Sequence, residues 1–187
     1  MKNIDKPRTD HAQASDLTSE AKQGAVEPPK NDLQGNSLAS AVLAILGPEA
    51  KLEAAGSEIT FRVPATQLHD FCQRLKDAGW DFLVFVTAVD FPDQDAFELV
   101  YEISNYKDAQ HFCLVTNIPR NEPVIRTVSD IWRTAEWHER EVYDLFGIRF
   151  DSHPDLRRIL LDDTWKGYPL RKDYKDELHE MIRRPGS

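Results

Sequence analysis

The sequence contains few cysteines, an excess of acidic over basic residues and no long apolar run. Only Cys72 and Cys113 occur among 187 residues, too few for a disulfide framework or a cysteine-rich metal site. The longest apolar run, residues 82–89, is much shorter than the roughly 20 residues that a membrane-spanning helix needs. A formal net charge of -9 disfavours binding to nucleic acid or to an anionic lipid surface.

Motifs for nucleotide binding and for hydrolysis are also missing. There is no glycine-rich phosphate loop and no G-x-S-x-G element. Val142 stands where a zincin helix beginning at His138 needs its second histidine. The acidic residues of 90–98 lack the glycine and the final carboxylate of a calcium loop. We therefore expect no self-contained active site, with a free-standing metal-dependent hydrolase using His138, Glu141 and His153 as an alternative.

The first part of the chain has the composition of a polar tail. Residues 1–36 contain no aromatic residue, a Pro-Pro pair and no apolar periodicity, which predicts a disordered segment. The N-terminus also lacks the apolar stretch of a signal peptide and the acid-poor composition of a transit peptide, so a cytosolic chain is expected.

Apolar periodicity predicts an α+β core domain over residues 37–150. Helical spacing occurs at 37–46, 68–79 and 128–147, and strand patterns occur at 59–63, 82–89, 97–104 and 111–118. This order is typical of helices packed on a mainly antiparallel, four-stranded sheet.

Residues 151–187 contain many large apolar residues without a sustained period, interrupted by proline and glycine. Such a segment is uncommon inside a compact domain, and disordered segments rarely contain so many large apolar residues. The composition favours an extended C-terminal arm that buries these residues on a partner protein. Packing of the arm on its own domain is the alternative. The arm hypothesis also predicts that a chain truncated at Asp151 stays folded but no longer assembles.

Two motifs near the start of this arm resemble a known family. The segments EREVYDLFGIRF at 139–150 and HPDLRRIL at 153–160 closely resemble the signature of the C-type subunit of proton-translocating NADH:quinone oxidoreductase, respiratory complex I. The segment at 162–174 is similar to the C-terminal segment of that family. The resemblance covers about residues 38–175, and it departs at Leu161 and Tyr168, where relatives often have proline and histidine.

The resemblance implies a non-catalytic scaffold subunit in the peripheral arm of the complex. Such a subunit packs beside the D-type subunit, which helps to form the quinone site, and near cluster-bearing subunits. It thereby supports electron transfer from NADH to quinone coupled to proton translocation. The flavin and the iron–sulfur clusters are then expected in the partner subunits, and the chain is expected at the cytoplasmic face of the inner membrane. An equivalent scaffold of a membrane-bound [NiFe] hydrogenase or a ferredoxin-linked complex stays open.

The resemblance assigns partner contacts to residues that match its motifs. The polar and charged contacts are Glu139, Arg140, Glu141, Asp144, Arg157, Arg158, Arg171, Lys172 and Asp173. The apolar anchors, a kind of residue that tends to dominate interface energy, are Phe146, Phe150, Leu156, Leu160, Trp165 and Leu170. The remaining members of the expected interface are Gly147, His153, Pro154, Gly167, Pro169 and Tyr174.

Overall fold

The computed structural model describes residues 33–55 and 58–175, so the predicted tail as far as residue 32 and the end of the predicted arm lie outside the described residues. The helices are α1 (Leu33–Leu46), α2 (Leu68–Asp77) and α3 (Ala135–Phe146). The strands are β1 (Lys51–Ala55), β2 (Ile59–Arg62), β3 (Phe82–Phe91), β4 (Ala96–Asn105), β5 (Gln110–Pro119), β6 (Val124–Arg126) and β7 (Arg149–Asp151). Helix α1 thus begins inside the segment predicted as tail.

The main sheet is five-stranded and mixed, with the order β1-β2-β5-β4-β3. The α+β prediction is confirmed, and three of the pairings are antiparallel, but β2 pairs with β5 in parallel. Strand β1 was missed because every one of its residues is exposed, so it lacks the alternation that marks a half-buried strand. The parallel pairing joins β2 and β5, which are far apart in sequence, and no local sequence pattern predicts the relative direction of two such strands.

The core lies on one face of the main sheet. Phe97, Leu99, Tyr101 and Ile103 alternate along β4 and are fully buried. They belong to one apolar cluster with buried side chains of α2 and α3. Each buried side chain of this size stabilises the fold by roughly 1.5–3 kcal/mol, so this cluster holds the helices on the sheet.

A small parallel sheet of β6 and β7 lies at the end of α3. Helix α3 ends at Gly147, which adopts the left-handed conformation with φ +73°. After β7 the chain continues without helix or strand, and we call residues 152–175 the strap. The Leu170 N–H donates to the Leu145 carbonyl at 3.1 Å, so the strap returns to α3. The described part of the arm therefore packs on its own domain.

Within the described ranges, none of the helices is both long enough and apolar enough to cross a bilayer.

Candidate partner-binding site

Asp144 of α3 anchors the first half of the strap. Its carboxylate is fully buried, and Oδ2 accepts three successive backbone N–H groups, from Ile159, Leu160 and Leu161, at 3.0, 2.8 and 2.9 Å. Oδ1 lies 2.6 Å from Nη1 of Arg158. Burial by itself raises the pKa of Asp144, but the backbone donors and the guanidinium outweigh it and hold the pKa below its usual range. The ionised carboxylate of Asp144 thus holds the first half of the strap on α3.

Arg158 connects this anchor to the rest of the strap. It donates to the carbonyl oxygens of Asp144, Trp165 and Gly167 at 3.2, 3.3 and 3.2 Å. From α3, Arg140 donates to the carbonyl oxygens of residues 157 and 158, both at 3.1 Å. Since these backbone carbonyls have partners inside the chain, the strap keeps a defined conformation without helix or strand.

A second anchor holds the end of the strap. Asp90, buried at the end of β3, accepts two hydrogen bonds from Arg120 at 2.8 and 3.2 Å and one from the backbone N–H of Lys172 at 2.8 Å. Arg120 also pairs with Asp173. Burial raises the pKa of Asp90, but Arg120 and the Lys172 N–H hold it below its usual range. Sequence reasoning considered Asp90 only as part of a calcium loop and missed this role, although an aspartate at the end of an apolar strand is a usable signal.

Gly147, at the end of α3, packs directly against the ring of Tyr168 in the strap. A Cβ atom at Gly147 would collide with the Tyr168 ring, so the glycine is needed for space as well as for its positive φ. Arg171 donates from Nε to the Phe146 carbonyl at 2.6 Å, and its guanidinium lies over the rings of Phe97 and Tyr168 at 5.1 and 4.9 Å. These contacts fix Tyr168 against the end of the helix.

Glu139 and His153 lie buried on the inner side of α3. Glu139 accepts hydrogen bonds from the Thr127 hydroxyl and from the Val128 N–H, the latter at 2.8 Å. His153 Nε2 lies 3.1 Å from the Glu136 carbonyl and 3.9 Å from the Glu139 carboxylate. Burial raises the pKa of Glu139 to about 7, against the opposing hydrogen bonds, while burial lowers the pKa of His153. Both side chains therefore make their contacts inside the chain.

The raised pKa of Glu139 makes stability depend on pH. A proton is bound in the folded chain up to about pH 7 but leaves the unfolded chain near 4.5, so this contribution is complete at low pH and is lost as pH rises through 7. Glu139→Gln mimics the neutral acid. Its free energy of unfolding should therefore rise relative to that of the native chain, by about 2–3 kcal/mol from pH 5 to pH 8. Urea unfolding at four pH values measures this gain, and a difference that stays constant with pH would contradict it.

The expected interface residues separate into two groups by burial. The side chains of Glu139, Asp144, Phe146 and Phe150 are buried inside the chain, and so is that of His153. Their own domain surrounds these five side chains, and the prediction that they contact a partner stays a prediction. The exposed members are Glu141, Pro154, Arg157, Leu160, Gly167, Leu170, Lys172 and Asp173. The partly exposed members are Arg140, Gly147, Leu156, Arg158, Trp165, Pro169, Arg171 and Tyr174.

Large apolar side chains remain on the outside of the strap. Leu160 is 60% exposed and Leu170 is 50% exposed. Trp137 is 60% exposed, and the Arg140 guanidinium lies 5.4 Å from its ring. Trp137 and Asp144 are two helical turns apart, so they share one stripe of α3, and the strap crosses this stripe at Asp144. We call Trp137, Leu160 and Leu170 the outer apolar set; sequence reasoning missed Trp137 as a member.

The described residues provide no grouping suited to a metal ion. In these ranges no three His, Cys, Asp or Glu side chains come together as ligands. Burial raises the pKa of both cysteine thiols, so neither is a ready thiolate ligand at neutral pH. Glu141 is exposed while His153 is buried against α3, so the hydrolase alternative gains no support from the geometry.

Comparison with known proteins finds a family and several relatives. A family model described as "Respiratory-chain NADH dehydrogenase, 30 Kd subunit" matches residues 61–180. The chain is 39% identical to the second C-type subunit of NADH-quinone oxidoreductase from Rhizobium meliloti, covering 71% of this chain and 78% of the relative. It is 40% identical to the combined C/D subunit of the same enzyme from Phocaeicola vulgatus, covering 64% of this chain but 23% of the relative. It is 38% identical to the C-type subunit of F(420)H(2) dehydrogenase from Methanosarcina mazei, covering 68% and 84%.

Two solved structures resemble the fold. A chain of the membrane-bound sulfane sulfur reductase, an archaeal respiratory membrane complex, matches with a TM-score of 0.70 and 31% identity over 80% of this chain and 90% of that one. The trypsin-resistant fragment of Nqo5 matches with a TM-score of 0.56 and 29% identity over 65% and 98%. With the family model covering well over half of its length, this chain belongs to the family of the 30 kDa subunit of respiratory-chain NADH dehydrogenase.

Proposed function

We propose that the chain is the non-catalytic C-type scaffold subunit in the peripheral arm of a proton-translocating NADH:quinone oxidoreductase. In this role it packs against the D-type subunit and supports electron transfer from NADH to quinone, at the cytoplasmic face of the inner membrane. The flavin and the iron–sulfur clusters belong to partner subunits. One observation carries the proposal: hydrogen bonds to Asp144 inside the chain hold the backbone of the strap, while the outer apolar set stays in solvent.

The rigidity of the strap favours a docking role. Leu160 lies between two residues whose N–H groups, like its own, are bound to Asp144, so its side chain is held outward. Apolar side chains on a fixed backbone lose little conformational entropy when a partner covers them. The exposed leucines on a segment fixed in this way are therefore suited to be anchors of an interface.

The D-type subunit is the favoured partner because of the relative from Phocaeicola vulgatus. The name of that relative combines the C and D types in one chain, and the present chain matches only 23% of it. A fused arrangement is possible only where the two parts can lie close together in space. This supports contact between the present chain and a D-type subunit.

A related membrane complex is the second candidate. The F(420)H(2) dehydrogenase relative and the sulfane sulfur reductase chain resemble this chain about as closely as the NADH-linked relatives do. The same scaffold role in a complex with another electron donor, including a hydrogenase or ferredoxin-linked complex, would use the same strap.

The assembly that contains the chain can be identified directly. The chain is tagged in its native host, membranes are solubilised gently, and a native gel is stained for NADH dehydrogenase activity before mass spectrometry of the tagged band. Co-migration with a large NADH-active assembly that contains the D-type subunit supports the proposal. A large band without NADH activity points to the related complexes, and a small soluble species would contradict both.

The double substitution Leu160→Ser and Leu170→Ser should impair assembly while leaving the fold intact. Burial of each leucine on a partner contributes roughly 1–3 kcal/mol, so competition against the native chain should show at least tenfold lower incorporation. The matched control is Tyr106→Ser, which removes an 83% exposed side chain from the turn between β4 and β5. Incorporation of the double variant at the level of this control would exclude the leucines as anchors.

A further inference from the structure

A cleft opens beside the strap, between β6, the end of α3 and the beginning of β7. Its volume is about 440 Å³, which lies within the range of sites that bind small molecules or inserted side chains. Pro123 and Val124 form one wall, and Gly147 and Tyr168 form another. The Arg149 N–H donates to the Pro123 carbonyl at 2.8 Å, so the backbone ties the two sides of the cleft together.

Unused hydrogen-bond donors line this cleft. Within the described residues, the Arg149 side chain has no ion-pair or hydrogen-bond partner, although it lines the cleft. The hydroxyl groups of Tyr143 and Tyr168 likewise find no partner in the described part of the chain. A guanidinium offers five N–H donors and each phenol offers one O–H, so the lining is rich in donors for an anion.

The position of Tyr168 is fixed before any ligand arrives. Tyr168 packs against Gly147, and the guanidinium groups of Arg158 and Arg171 lie over its ring at 5.5 and 4.9 Å. Asp144 balances the charge of Arg158, whereas Arg171 has no ion pair in the described part of the chain and adds positive charge beside the cleft. Glu122 is the one acidic residue of the lining, and no ion pair joins it to Arg149 in the described structure.

We propose that this cleft receives an acidic side chain of the partner subunit, whose carboxylate pairs with Arg149 and accepts hydrogen bonds from Tyr143 and Tyr168. Charge complementarity selects this occupant, because the guanidinium fork of arginine matches a carboxylate and the two phenols of the lining supply further donors. The site lies next to the strap, on which Leu160 and Leu170 of the outer apolar set are exposed. This inference rests on the proposed scaffold function and adds a specific polar contact to it.

Cross-linking in the assembled complex tests the contact. Arg149→Lys is introduced into the full chain in its native host, and the purified complex is treated with a carbodiimide, which joins an amine to a carboxylate in direct contact. We expect an amide between position 149 and an aspartate or glutamate of another subunit. Arg133→Lys is the matched control, since Arg133 is 94% exposed near the beginning of α3, and it should yield no such inter-subunit bond.

Charge reversal provides a second readout. Arg149→Glu should lower incorporation in competition with the native chain at least tenfold, whereas Arg133→Glu should not. The urea midpoint of the isolated Arg149→Glu chain should stay that of the native chain, because Arg149 is exposed and has no partner in the described structure.

The outcomes separate this inference from the proposed function. A chain that is present in the complex but cross-links from position 149 only to itself, for example to Glu122, would overturn the cleft contact and leave the scaffold role intact. Normal incorporation of Arg149→Glu would overturn it as well. Absence of the chain from any larger complex would overturn both.

Discussion

Asp144→Asn should release the strap and lower the free energy of unfolding by about 3–5 kcal/mol, as for other buried charge pairs that lose one partner. The amide would leave Arg158 without its counter-charge. Its NH₂ group would also face backbone N–H groups where the carboxylate now accepts three. No rearrangement of an asparagine provides the same number of acceptor sites.

Urea unfolding and limited trypsin digestion measure this effect. The native strap should resist cleavage after Arg158, while the variant should be cut there rapidly. The control is Asp155→Asn, which removes a carboxylate paired with an exposed arginine at the surface and should change stability by less than about 1 kcal/mol. A variant as stable and as resistant as this control would show that Asp144 does not hold the strap.

The same variant should change the response to acid. The pKa of Asp144 is below its usual value in the folded chain, so its contribution is complete above about pH 4, the ordinary pKa, and is lost as pH falls through the folded pKa. The stability curves of the native chain and of Asp144→Asn should therefore converge in strong acid. Curves that stay parallel down to the lowest measurable pH would assign the destabilisation to a cause other than the charge.

Truncation after Asp151 should destabilise the whole domain by at least about 4 kcal/mol, in addition to preventing assembly. The sequence alone predicted that this shortened chain stays folded. The structure changes the expectation, because the truncation removes every strap partner of the buried Asp144 and the Lys172 N–H that bonds to the buried Asp90. It also takes away Arg171, which lies over Phe97 of the core.

A chain ending at Lys175 is the matched control for this truncation. It keeps all of the described strap and should unfold at the native urea concentration. If the chain ending at Asp151 unfolded at that same concentration and only failed to assemble, the strap would be a pure partner-binding arm, as the sequence suggested. Loss of both properties would show that the strap belongs to the domain.

Helices and strands with a regular apolar period could be predicted from the sequence. The alternation Phe97, Leu99, Tyr101 and Ile103 marked β4, and the stripe containing Phe71 and Leu75 marked α2. The strap could not be predicted in this way. Its conformation depends on single polar contacts, such as Asp144 with three backbone N–H groups, and those contacts carry no periodic signal.

The sequence by itself determined the α+β class, the approximate limits of the core elements and the family, because these follow from apolar periodicity and from the motifs at 139–150 and 153–160. Only the tertiary structure decided the parallel pairing of β2 with β5, the packing of the strap on its own domain and the separation of buried from exposed motif residues. The physical reason is distance along the chain. Asp90 and Lys172 form one anchor across 82 positions, and a contact over such a separation exists only once the chain has folded.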